Sequence, residues 1–228
     1  LPTSDISKIN RGDTSVVTDK MFQEVFKKSE RIYKETDGAF DPTIGVLVNA
    51  WGFGPDNVVE NLDSAHVKSM LEFVGLEKVQ LKKEKIIKKY RSTYIDFNAI
   101  AKGYAVDVIG RFLESKNIKD YLVEIGGEIR ARGLNPDGKN WKIAIEKPNF
   151  DGNRSFQTVI ELNNESIATS GNYRKFKIDA STGKKFAHTI DTKTGFPSQS
   201  DLLSASVIAC LLYTSDAADD MQCVDLGG

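Results

Sequence analysis

Apolar positions recur at helical spacing through the first half of the chain and alternate at strand spacing through the second. Met21, Phe22, Val25, Phe26, Ile32 and Tyr33 fall on one face of a helix spanning 21–36, which Asp37-Gly38 closes. Phe40-Asp41-Pro42-Thr43 reads as an extended turn, and the short apolar run 44–50 leads into Trp51-Gly52-Phe53-Gly54-Pro55. The spacing predicts a second helix over 62–74 with Gly75 as its C-cap. A hairpin is expected from 79–87 and 89–97, its second strand ending on Tyr94, Ile95 and Phe97. Asn98 then offers an N-cap for a helix over 99–113, whose apolar face is Ile100, Ala101, Tyr104, Ala105, Val108, Ile109 and Phe112.

Beyond Gly110 the period changes. Strands are expected at 121–125, 129–133, 141–146, 156–162, 166–170, 174–178 and 185–190, with Asn135-Pro136-Asp137-Gly138 as a turn. Helices dominate the first half and sheet the second, which predicts an α+β fold with a largely antiparallel sheet flanked by helices. The span 1–209 reads as one domain.

Composition narrows the function classes. The 228 residues are 40% hydrophobic and 28% charged, with net charge −1, so no global electrostatic attraction to nucleic acid or acidic membranes is expected. The basic run Lys82–Arg91 sits in the expected hairpin, where lysines discourage edge-to-edge pairing. No stretch is long and apolar enough to span a membrane. The chain opens on Leu1 within polar, turn-rich sequence, so it is expected to be a fragment, with any export signal or lipid anchor lying upstream. Both cysteines, Cys210 and Cys223, fall in the last nineteen residues and show no metal-ligand spacing.

Chemistry gathers in five places. In Asp96–Asp107 a carboxylate at a strand end, small residues at the turn and Lys102 one turn into a helix suit an anion or metal–phosphate site. A capped helix with Asp96 and Lys102 facing water is the other reading. Trp51 and Phe53 beside glycines can stack on a planar heterocycle or plug a core. Gly126-Gly127 marks a strand break, and Ala168-Thr169-Ser170-Gly171-Asn172-Tyr173 is a hydroxyl-rich turn able to donate to phosphate. The stretch 187–197 holds His188, one of two histidines; the other, His66, reads as surface.

In this order the blocks resemble one family, the FAD:protein FMN transferases (ApbE-type flavin transferases, with a T-fold-like architecture). Seven blocks carry the resemblance: Ser4-Asp5-Ile6-Ser7 with Asn10, Gly38–Thr43, Trp51–Gly54, Asp96–Asp107, Val123–Glu128, Ala168–Tyr173 and His188–Pro197. The resemblance implies transfer of FMN from FAD, with Mg²⁺ at the pyrophosphate, to a threonine or serine hydroxyl of an acceptor protein. AMP leaves, and the flavin stays attached through a phosphoester. It implies FAD contacts at Trp51, Gly52, Phe53, Asp96, Lys102 and Ile190, and a metal ligand in the Ala99 carbonyl. His188 matches the proton acceptor for the incoming hydroxyl, and Thr169 and Ser170 match phosphate or metal neighbours. The same resemblance implies an exported protein, lipid-anchored at the outer face of the cytoplasmic membrane, whose acceptor is a redox-pump or electron-transfer subunit. An FAD pyrophosphatase, with water replacing the hydroxyl, and a non-catalytic flavin-binding module are the alternatives.

Residues 210–228 depart from the family pattern. The register from Ala209 puts Asp216 at the family's aspartate ligand and Asp220 in place of its threonine. The wording of this tail also resembles translated adapter sequence, so a foreign tail is expected. A chain lacking those metal ligands is expected to be a poor enzyme.

Overall fold

The structure is a computed structural model that describes residues 1–55, 59, 62–149, 155–171, 176–178, 185–198 and 202–210. The expected roles of Asn172, Tyr173, Asp216, Asp220 and Cys223 lie outside the described residues. The chain divides into two compact units: Leu1–Phe97 with Asp179–Gln199, and Asn98–Ile178 with Ser200–Gly228.

In the first unit, aspartate side chains cap two of the helices, α2 and α4. Helix α1 is Asp5–Asn10, and α2 is Lys20–Glu35, where the Asp19 carboxylate accepts from the Phe22 amide at 2.7 Å. Helix α3, Gly45–Ala50, is the short apolar run. Helix α4 is Ser64–Leu71, capped by Asp63. This is shorter than the expected 62–74, because Phe73 and Val74 wind down through bonds to Met70 and Leu71 three residues back. Gly75 is not the cap of that helix. At φ +131° it precedes a 3-10 turn, Leu76–Lys78, and its amide donates to the Thr43 hydroxyl. Val25, Phe26 and Ile32 of α2 are buried as expected, whereas Met21 is exposed and Ser29 takes a buried place.

Strands β1 (Val79–Lys82) and β2 (Lys85–Lys88) form the basic hairpin, with Lys83 and Glu84 at positive φ in its turn. The expected second strand ends at Lys88. Residues 89–97 keep only an isolated parallel bridge from Tyr94 to Ile44, because Asn10 and Pro42 take up backbone groups of Ile95 and Asp96. The core of this unit includes Ile44, Leu47, Val67, Val74 and Ile190. Strand β9, Lys185–Ala187, is shorter than the expected 185–190; the chain then bends, and Ile190 bridges Pro197 across a tight loop.

The second unit opens with α5, Asn98–Ser115, which already includes Asn98. Its buried positions include Ile100, Gly103, Tyr104, Val106, Asp107 and Gly110. Ala101, Ile109 and Phe112 of the expected apolar face are exposed. A buried charge pair explains the rotation: Arg130 reaches Asp107 at 2.9 Å and Glu114 at 2.9 Å, turning the Asp107 face inward. Gly110 makes room, since a Cβ there would stand 3.1 Å from the Arg130 side chain. Strands β3 (Tyr121–Ile125) and β4 (Glu128–Arg132) form a hairpin over Gly126-Gly127, both at positive φ.

Strands β5 (Trp141–Glu146) and β6 (Phe156–Leu162) make a second hairpin, with the expected Asn135–Gly138 turn before it. Strand β7 is Ser166–Gly171 and β8 is Phe176–Ile178. One strand absent from the sequence pattern, β10 (Ser204–Ala209), pairs antiparallel with β7. The four-stranded sheet runs β10-β7-β4-β3, antiparallel throughout, in line with the expected α+β class. Ile129, Ala131 and Ile167 of this sheet pack on Ile143 and Leu162 of the second hairpin.

Candidate functional site

The candidate residues divide between the two units. Trp51, Gly52, Phe53, Asp96, His188 and Ile190 fall in the first; Ala99, Lys102, Thr169 and Ser170 fall in the second.

In the first unit, Trp51 caps α3, and its indole N–H donates to the Gly195 carbonyl at 2.8 Å. Its ring lies 5.7 Å from Phe196 and 6.2 Å from Phe186, both tilted. Gly52 takes φ +75°, which only glycine adopts cheaply and which turns the chain after Trp51. Trp51 and Phe53 are partly buried against the cluster that contains Ile190. The two readings of these aromatics therefore combine: one side of each ring is core, and part stays accessible. The side chain of Ile190 is wholly core, so only its backbone remains for a ligand.

Gly195 accounts for the tightness of this corner. At φ +75°, a Cβ there would meet the Val67 side chain at 2.6 Å. The loop around it is closed by Asp191, whose carboxylate accepts from the Lys193 and Thr194 amides at 2.7 and 3.0 Å. His188 precedes this loop, half-buried, directly after β9.

Asp96 is hung by backbone on both sides. The Asn10 side chain donates to the Ile95 carbonyl and accepts from the Ile95 amide, both at 2.8 Å. The Asp96 amide donates to the Pro42 carbonyl at 2.7 Å. Pro42 belongs to the turn that Asp41 organises: its carboxylate accepts from the Thr43 amide and hydroxyl at 2.8 and 2.7 Å. Burial pushes the Asp41 carboxyl up to about 6, against the opposing pull of the Thr43 bonds.

In the second unit, Ala99 is buried in the first turn of α5, and Lys102 stands one turn further on. The Lys102 ammonium lies 2.5 Å from the Glu128 carboxylate; the Glu128 side chain is 2% exposed and that of Lys102 36%. Glu128 follows the double-glycine turn, and a Cβ on Gly126 would touch both Lys102 and Glu128 at 3.5 Å. Thr169 is exposed on β7 and shares a hydrogen bond of 2.8 Å with Ser206 of β10. Ser170 is buried beside it. Val106 of α5 packs with Ala168, so the helix and β7 are joined in one cluster.

Asn10, Glu128 and Ser206 are thus additions to the candidates. The first two stand in blocks that resemble the family, yet no local spacing tells what they touch. Among the described residues, no three His, Cys, Asp or Glu side chains come together to hold a metal ion. No helix among the described residues is long and apolar enough to cross a membrane. His66 is exposed at the start of α4, as expected.

Fold and site together define an α+β protein that presents a carboxylate-tethered lysine one turn into its longest described helix. The sequence pattern of the ApbE family matches residues 1–225, a span that takes in Asp216 and Asp220. The chain belongs to the ApbE family. It is 42% identical over 221 residues to an FAD:protein FMN transferase of Haemophilus influenzae, covering 93% of this chain and 63% of that protein. It is 37% identical over 202 residues to the Escherichia coli K12 protein of the same name, covering 86% and 56%. The flavin transferase ApbE from Vibrio cholerae superposes with a TM-score of 0.82 at 35% identity, over 96% of this chain and 70% of that one. The chain thus spans less than two thirds of the length of these curated relatives.

Proposed function

We propose that this chain transfers FMN from FAD to a threonine or serine hydroxyl of an acceptor protein. The observation that carries the reading is the tethered Lys102, in a chain whose relatives bear the name FAD:protein FMN transferase. The acceptor oxygen bonds to the FMN phosphorus, the bond from that phosphorus to the bridging oxygen breaks, and AMP departs with that oxygen. His188 takes the hydroxyl proton; a half-buried imidazole nitrogen that can accept a proton suits this role. Lys102 offsets negative charge on the pyrophosphate, and Asp96, held by its backbone, orients the dinucleotide. Trp51 and Phe53 offer their accessible ring surface to a planar heterocycle.

Mg²⁺ is part of the same proposal. Asp216 and Asp220, outside the described residues, are its candidate carboxylates, with the Ala99 carbonyl a neutral partner. When bound, the ion supplies charge neutralisation at the pyrophosphate. An extracytoplasmic location and a redox subunit as acceptor are proposed on the same resemblance; fractionating cells that express the full-length protein tests the first.

The deciding experiment incubates the chain with FAD, Mg²⁺ and an acceptor protein. A chimera carrying the Haemophilus influenzae segment in place of 210–228 runs beside it. Flavin fluorescence that survives denaturation on the acceptor, with AMP released, is the expected result. It is lost with EDTA and in His188→Ala, which still binds FAD. Free FMN and AMP without a labelled acceptor would refute transfer. An active chimera beside an inactive chain would show that residues 210–228 of this chain do not supply the metal ligands.

A further inference from the structure

Lys102 is a long side chain with four rotatable bonds, and holding such a chain ready for an anion costs rotamer entropy. The structure meets that cost before any ligand arrives. The Glu128 carboxylate is almost wholly buried, lies 2.5 Å from the ammonium, and leaves the Lys102 side chain about a third exposed. The ammonium is thus anchored on a buried carboxylate while part of the side chain stays accessible. An ammonium carries three donors, more than the single Glu128 oxygen accepts.

The backbone around the pair is arranged to allow it. Gly126 and Gly127 both take positive φ, so a two-residue turn returns the chain from β3 to β4 and delivers Glu128 at once. The Lys102 Cδ lies 3.5 Å from where a Gly126 Cβ would stand, so the turn borders the lysine stem at that point. Two residues past Glu128, Arg130 ties β4 to Asp107 of α5. The strand bearing Glu128 and the helix bearing Lys102 are therefore held in register by a second, buried ion pair.

We infer that Glu128 is a positioning residue for the ligand pyrophosphate, acting by fixing the Lys102 ammonium beneath it. This rests on the FAD reading above and adds a residue to it. Glu128 touches no ligand in this role; its whole effect passes through Lys102.

The test measures Kd for FAD and for riboflavin, which has no pyrophosphate, by flavin fluorescence in Glu128→Gln, Glu128→Asp, Lys102→Ala and the Glu128→Gln/Lys102→Ala pair. Glu128→Gln should weaken FAD roughly three- to ten-fold, the size expected when one long side chain must be immobilised on binding. Riboflavin affinity should not move. Glu128→Asp, which keeps the charge, should recover part of the loss, and Glu128→Gln should add nothing in the Lys102→Ala background. Equal losses for FAD and riboflavin, or a further loss in the Lys102→Ala background, would make Glu128 merely structural and overturn the inference. Tighter FAD binding in Glu128→Gln would overturn it as well, since the carboxylate would then be competing for the lysine. Unchanged FAD affinity in Lys102→Ala would instead sink the pyrophosphate reading itself. If Glu128→Gln does not fold, the same comparison in Glu128→Asp decides, with loss confined to FAD expected.

Discussion

Replacing Arg130 with alanine is predicted to remove a large share of the stability of the second unit. Its guanidinium reaches Asp107 and Glu114, each at 2.9 Å, and the Asp107 side chain is 0% exposed. At 2.9 Å and an effective dielectric of about 20, the Asp107 contact has a Coulomb energy of roughly 6 kcal/mol before desolvation is subtracted. Removing the cation leaves the carboxylate's desolvation uncompensated, and loss of one partner of a buried pair typically costs about 3–5 kcal/mol. A domain is stable by roughly 5–15 kcal/mol, so the effect should be plain. Urea unfolding followed by circular dichroism gives the number. The companion variant Asp107→Leu/Arg130→Met removes both charges, and should recover most of the loss, since burying either charge is itself costly. An Arg130→Ala loss below about 1 kcal/mol would refute the reasoning. So would a double variant no more stable than the single one.

Two further predictions concern the first unit. Asp41, pushed up to about 6 by burial, holds its proton more tightly folded than unfolded, where its ordinary value is 3.8. The folded state therefore binds more protons between about pH 4 and 6, and stability falls as pH rises through that window, by up to roughly 3 kcal/mol. Asp41→Asn, which keeps an acceptor for Thr43, should flatten that part of the thermal midpoint profile; an unchanged slope would remove Asp41 as its source. Asn10→Ala deletes both bonds to Ile95, and at about 1 kcal/mol per bond should cost roughly 2 kcal/mol. It should also weaken FAD binding by releasing the segment that carries Asp96, and unchanged affinity would count against that link.

Local spacing was enough for much of this molecule. The amphipathic run of α2, the extent of α5 and the strands β3 to β7 are all properties of neighbours within one or two turns, which is where periodicity carries information. The order of seven motif blocks was likewise legible, and it pointed to the family that the comparisons establish. Spacing failed where a residue's role depends on something far along the chain. The buried face of α5 departs from the expected apolar one because Asp107 is buried against Arg130, twenty-three residues away. The expected strand over 89–97 does not form because Asn10, eighty-five residues before Ile95, takes up its backbone groups. Strand β10 became visible only through its pairing with β7. Lys102 could be picked out from its helix turn alone. That it stands on a buried glutamate is a fact of tertiary structure, because only the folded hairpin brings β4 back under the start of α5.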